Sequence, residues 1–199
     1  MVTRVDKTQV ARALTSGGRP SSDFDLNPEA RPKPVALKSA GVLLPIIERP
    51  TGPHLILTKR SSTIKNHPGQ IAFPGGRVDP DDASHVAAAL READEEIGLP
   101  PSSVEVLGEL PTHETVSNYT MHPVVGWVTQ DFTPRLEEAE VSEIFEVPLP
   151  HVLEIANFAI QSRIWRGQKR QFYTVPYGPY YIWGATARVL RAFAEKVRV

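Results

Sequence analysis

The chain has no cysteine among its 199 residues, which excludes a disulfide framework, a thiol nucleophile and a cysteine-based zinc site. It also lacks a dominant charge. The formal net charge of −1 gives no support for general affinity for nucleic acid or membrane surfaces. Long hydrophobic runs are missing too: the longest, Ala40 to Ile47 (AGVLLPII), is interrupted by Pro45 and is far too short to cross a bilayer. The opening residues, MVTRVDKTQVARALTSGG, lack the apolar centre of a secretion signal, and the closing KVRV is not a peroxisomal address. These absences predict a cytoplasmic enzyme or binding domain acting on a small molecule, with no nucleic acid or membrane partner. They leave the oligomeric state open.

What is present suits a globular fold. The composition is 41% hydrophobic and 23% charged, enough apolar material for a proper core. Val2 to Leu14 has the makings of a short amphipathic helix with few apolar residues. Thr15 to Pro34 is rich in Gly, Pro, Ser and charge and reads as a linker or surface-hugging arm. Residues 1–34 are therefore expected to form an extension, and residues 35–199 a compact domain. Strands are predicted at VALKSAGVLLPIIE, HLILTKR, QIAF, VEVLGEL, HPVVGWVTQ and IFEVPL, with a hairpin from SRIWRG and RQFYTVPY. HVLEIANF predicts a short helix. A closing helix, about Trp183 to Val197, should bury Thr186, Val189, Leu190, Phe193 and Val197. Strands flanked by helices without regular alternation predict an α/β (α+β) sandwich with a mixed sheet.

The informative stretch is FPGGRVDPDDASHVAAALREADEEIGL, Phe73 to Leu99. A helix over roughly Ala83 to Ile97 is expected, capped by Asp82 and stopped by Gly98. On a wheel of about 100° per residue, Val86, Leu90, Ala93 and Ile97 make a buried stripe. Glu92, Glu95 and Glu96 fall together on another side. Like charges at this spacing cost a few tenths of a kcal/mol each, and acid near a helix C-terminus opposes the macrodipole, so a positive partner is expected. Three carboxylates on one rigid helix suit a hard cation such as Mg²⁺. Glu92 and Glu96, one turn apart, are the best ligand pair, with Glu95 as third ligand or base. Arg91 can hold one carboxylate in place. The preceding Gly75-Gly76 turn lets backbone approach a ligand without Cβ interference.

This segment resembles the Nudix box, G-x5-E-x7-R-E-U-x-E-E-x-G-U with U aliphatic. Arg91, Glu92, Ala93, Glu95, Glu96, Gly98 and Leu99 match its second half. Gly76 to Asp82 keeps the first spacing with Asp for Glu, but Asp82 to Arg91 is one residue longer than the pattern. The upstream LILTKRSSTIKNHPGQIAFPGG looks like the signature of the coenzyme A pyrophosphatase branch, through Leu57, Thr58, Arg60, Ser61, Gly69, Phe73, Pro74, Gly75 and Gly76, with Lys65 in place of an Arg. The closing YYIWGATARVL resembles that branch as well. The resemblance implies a Nudix fold and a Mg²⁺- or Mn²⁺-dependent hydrolysis of coenzyme A or its thioesters, yielding 4′-phosphopantetheine and adenosine 3′,5′-bisphosphate.

It implies metal ligation by Glu92, Glu95 and Glu96, and phosphate binding by Arg60 and Lys65, including the 3′-phosphate that distinguishes coenzyme A from ADP. Glu95, Glu140 and Glu143 are the candidate bases. His67, beside the signature glycine, is a candidate pocket residue, whereas His113 and His122 lack zinc-ligand spacing. The aromatic-rich C-terminal region, including Trp165, Tyr173, Tyr177, Tyr180, Tyr181 and Trp183, is mostly packing with one ring available to stack on adenine. The alternatives are a Nudix hydrolase for ADP-ribose, NADH or dinucleotide polyphosphates, and a nucleotide-binding regulatory module without turnover.

Overall fold

The computed structural model describes residues 5–33, 35–64, 67–165 and 167–198. In chain order the elements are α1 (Lys7–Leu14), β1 (Ser21–Ser22), β2 (Lys38–Arg49), β3 (Gly52–Arg60), β4 (Ile71–Ala72), β5 (Gly75–Arg77), α2 (His85–Ile97) and β6 (Val104–Glu109). They continue with β7 (His113–Glu114), β8 (Tyr119–Val128), β9 (Val141–Pro148), α3 (Leu149–Leu153), β10 (Ala159–Trp165), β11 (Gln168–Thr174) and α4 (Gly184–Val197). Nine strands make one mixed sheet in the order β1-β7-β8-β2-β3-β4, with β5 on β2, β6 on β8 and β9 on β3. β2 and β8 are parallel, while β2–β3 and β3–β9 are antiparallel.

The apolar run in β2 is explained by burial on both faces. Leu43 and Ile47 pack with Ala89, Ala93 and Ile97 of α2. Leu44 and Ile46 join the larger cluster that contains Leu190 and Phe193 of α4. A strand covered on both sides reads as continuous rather than alternating hydrophobicity. Pro45 falls between the stretch of β2 that pairs with β5 (Ala40 to Val42) and the stretch that pairs with β3 (Ile46 to Arg49). Its missing N–H therefore interrupts no pairing on that edge.

Several boundaries differ from the sequence expectation. Helix α2 starts at His85, and its N-cap is Ser84, whose side chain accepts from Ala87 N–H. Asp82 does not cap it. Both residue types are good caps, and Asp82 is engaged elsewhere. Gly98 closes the helix in the left-handed conformation as expected. The helix after β9 ends at Leu153, and a separate 3-10 turn covers Ile155–Asn157.

The segment before β2 lies against the rest of the chain. Val10 is fully buried in the α4-side cluster together with Leu14, and α1 packs on α4 and β6. β1 pairs in parallel with β7. Ser21 Oγ is 2.9 Å from Nδ1 of the fully buried His113, whose Nε2 is 3.2 Å from Asp23. Asn27 docks on the β10–β11 hairpin, accepting from Gln171 N–H at 2.8 Å and donating to its carbonyl at 2.9 Å. Two polar contacts to one backbone residue fix the hairpin against this arm.

Candidate active site

The acidic helix and the Gly-Gly turn meet. Strand β5 pairs with β2 so that Gly76 lies opposite Gly41 and Gly75 opposite Val42. Gly75 N–H donates to Glu96 at 3.1 Å. A Cβ on Gly76 would stand 2.5 Å from the Glu92 carboxylate, and one on Gly75 would stand 2.5 Å from the Gly41 carbonyl. Gly75 also has φ +152. Glycine at both positions lets the turn sit directly against α2 and β2.

Glu96 is nearly buried at 3% exposure. Its carboxyl is pushed up to about 7, chiefly by burial, while the Gly75 N–H and Arg60 pull it down. Arg60 stands 3.8 Å away. Glu92 is half-buried and also raised, again chiefly by burial, with Arg91 opposing. The charges of Glu92 and Glu140 further raise Glu96, and those of Glu95 and Glu140 raise Glu92. Glu140 is brought to this place by the loop before β9: its carbonyl accepts from Ser61 N–H, and Glu137 N–H donates to the Glu96 carbonyl.

Arg91 binds Asp82 through two hydrogen bonds, Nε to Oδ1 at 3.0 Å and NH2 to Oδ2 at 2.9 Å. It also donates to Glu95 at 2.9 Å and to the Arg77 carbonyl, and lies 3.1 Å from Glu92. The Asp82 carboxyl is lowered chiefly by this contact, and the Arg91 guanidinium is correspondingly raised. Arg91 thus supplies the positive charge that the glutamate cluster requires, and clamps the β5–α2 turn to the helix. The Asp82–Arg91 contact forms although the interval between them is one residue longer than the pattern.

A cleft of about 680 Å³ opens over this region. Arg60, Gly75, Gly76, Glu92 and Glu140 line it, as does His67. Glu96 lies beneath Gly75. Glu95 is exposed with its carboxylate on Arg91. Glu143 accepts from Tyr180 and lies 3.9 Å from Lys59. Lys65 falls outside the described residues. Among the described residues no three His, Asp or Glu side chains stand close enough together to surround an ion; Arg91 draws Glu92 and Glu95 aside while Gly75 and Arg60 hold Glu96. The donor set still fits a hard cation. Mutually repelling carboxylates, one of them nearly buried and kept near neutrality by burial, are oxygen donors whose ionisation a cation would restore.

Sequence reasoning missed several features. Asp23 and Asn27 from the N-terminal arm line the cleft, as do Arg163, Arg170 and Phe172 from the hairpin; Trp165 and Trp183, already among the aromatic candidates, line it too. Arm and hairpin residues are far from the acidic box in sequence, and only the β10–β11 register and the Asn27 contact bring them there. The imidazole of His122 stacks on His85 at 4.3 Å, and His113 holds the arm as described.

A mixed sheet between helices, carrying carboxylates beside a Gly-Gly turn at a cleft, suits a hydrolase acting on a phosphoanhydride. The NUDIX domain model matches residues 37–166. "Uncharacterized Nudix hydrolase NudL" of Shigella flexneri serotype 5b (strain 8401) is 43% identical over 174 residues, spanning 87% of this chain and 90% of that protein. Its namesake in Escherichia coli (strain K12) is 42% identical over the same lengths. The crystal structure of the MutT protein from Methanosarcina mazei Go1 matches with a TM-score of 0.51 at 19% identity, covering 83% of this chain and 96% of that one, which bears on the fold. The chain belongs to the Nudix family. It is a hydrolase acting on pyrophosphate bonds, in a family whose enzymes generally use divalent metal ions. Among the described residues no helix is long and apolar enough to cross a membrane.

Proposed function

We propose that the protein hydrolyses the diphosphate of coenzyme A or its thioesters, releasing 4′-phosphopantetheine, or its acylated form, and adenosine 3′,5′-bisphosphate. The observation that carries this reading is the juxtaposition of Glu92, Glu140, Arg60 and the Gly75-Gly76 turn in one cleft large enough for an extended nucleotide. The upstream residues Leu57 to Gly76, which resemble the coenzyme A branch, supply the substrate assignment.

In this reading Glu92 and Glu96 would be the principal ligands for Mg²⁺ or Mn²⁺, with Glu95, whose carboxylate lies on Arg91, completing the acidic set. Such an ion neutralises diphosphate charge and makes bound water more acidic. Arg60 balances the diphosphate charge, and the Gly75-Gly76 backbone orients it. Glu140, facing the cleft, is the base that accepts the proton of the attacking water, and Arg91 keeps the helix carboxylates in register. Residues 1–34 act as an arm of the 35–199 domain. The cysteine-free composition suits action in the cytoplasm.

The test is incubation of coenzyme A with protein, magnesium and ¹⁸O-labelled water, followed by mass spectrometry of the products. The expected result is the two named products with one labelled oxygen between them. Cleavage of ADP-ribose, NADH or dinucleotide polyphosphates at equal or greater kcat/KM would replace the substrate assignment. Nucleotide binding without any turnover would turn the reading into that of a regulatory module.

A further inference from the structure

The proposed chemistry uses the carboxylates, Arg60 and the Gly-Gly turn, and the hairpin side of the same cleft carries charge that this chemistry leaves unexplained. In the β10–β11 hairpin, Arg163 and Arg170 are direct cross-strand partners, and both line the cleft. Like charges directly opposite on one sheet face repel. Among the described residues neither guanidinium has a carboxylate partner. Each lies over an indole instead: Arg163 is 4.4 Å from the Trp183 ring centroid and Arg170 is 5.9 Å from that of Trp165. Nε of Arg170 is buried without a hydrogen-bond partner.

The helix that begins beside them adds to this field. Trp183 is the N-cap of α4 and supplies no side-chain cap, and Gly184, Ala185 and Thr186 line the same cleft. The start of a helix carries roughly half a positive charge and free N–H donors. Arg60 lines the same cleft, with its guanidinium 3.8 Å from Glu96.

We infer that this side of the cleft binds a second phosphate of the substrate, a phosphate monoester on the nucleoside remote from the diphosphate that is cut. Its double charge matches two guanidiniums, whose planar donors suit phosphate oxygens. The inference rests on the reading of the cleft as a diphosphate-hydrolase site. It makes Arg163 and Arg170 specificity-determining residues. The 3′-phosphate of coenzyme A and the 2′-phosphate of NADPH share this chemistry.

The experiment compares kcat/KM for coenzyme A against 3′-dephospho-coenzyme A, and for NADPH against NADH. It uses the wild type, Arg163→Gln, Arg170→Gln and Arg163→Lys, all checked for unchanged circular dichroism. The wild type should favour the phosphorylated member of at least one pair by about tenfold or more. Each Gln variant should lower that preference by about tenfold, mostly through KM, and Arg163→Lys should restore part of it. A wild type indifferent to the extra phosphate, or variants that lower both members of a pair equally, would overturn the subsite. If no compound is cleaved, the proposed function fails on its own. Calorimetric binding of adenosine 3′,5′-bisphosphate against AMP then decides the subsite, and equal affinities in wild type and variants would reject it.

Discussion

The backbone N–H of Gly75 donates to the carboxylate of Glu96 at 3.1 Å, joining the turn before the acidic helix to a residue near its end. Together with Arg60 at 3.8 Å, this bond opposes the burial penalty on the carboxylate, and it joins the turn to the helix. Replacing Glu96 by Gln keeps an oxygen acceptor for Gly75 and removes the charge. We expect turnover to fall by at least about a hundredfold and divalent-cation affinity by at least about tenfold, with the unfolding midpoint unchanged or raised. Steady-state kinetics, metal titration and thermal unfolding on one preparation measure all three.

Burial lifts the Glu96 carboxyl from its ordinary 4.5 to about 7. Between those values the folded chain holds a proton that the unfolded chain releases. The contribution of Glu96 to stability is therefore full below pH of about 4.5 and is lost as pH rises through about 7. Denaturant unfolding in EDTA across this range should show the decline, and Glu96→Gln should flatten it. Cation affinity should run the opposite way, rising with pH through about 7, because binding displaces the same proton.

Gly75 and Gly76 should respond differently to alanine. At Gly76 the new methyl group meets the flexible end of Glu92 at 2.5 Å, so the side chain swings aside. The expected outcome is a folded protein with kcat lowered by about ten- to a hundredfold. At Gly75 the obstacle is backbone, the Gly41 carbonyl at 2.5 Å and Val42 Cα at 2.6 Å, at a φ that alanine adopts poorly. Gly75→Ala should cost roughly 2–4 kcal/mol of stability, read from denaturant melts.

Asn27 joins the N-terminal arm to the hairpin through both hydrogen bonds with Gln171. Asn27→Ala should cost about 1–3 kcal/mol and speed hydrogen exchange in Gln168–Thr174 relative to the central sheet. KM for nucleotides occupying the hairpin side should rise more than kcat falls. An unchanged exchange rate in the hairpin would show that the arm does not brace it.

The parts legible in the sequence are those where one element speaks for itself. The unbroken apolar run in β2 reports burial on both faces, and the stripe of Ala93 and Ile97 reports the packing of α2. The acidic cluster and the Gly-Gly turn lie close in sequence and meet in space. The choice between Asp82 and Ser84 as helix cap was not legible, because both types cap well and the deciding partner, Arg91, lies across a turn. The hairpin arginines are seven positions apart with no periodic signature, and only the strand register sets them face to face. The segment from Thr15 to Pro34 reads as a linker because few of its residues are apolar, yet Phe24 is buried and Ser21 and Asn27 tie the segment to His113 and Gln171.

The closure of Asp82 on Arg91 across an interval one residue longer than the family pattern has a practical corollary. Sequence filters that demand fixed intervals along this motif would discard chains like this one. In this chain a guanidinium grips an acid ahead of the helix across the longer interval, so a search by that contact in three dimensions would retain it.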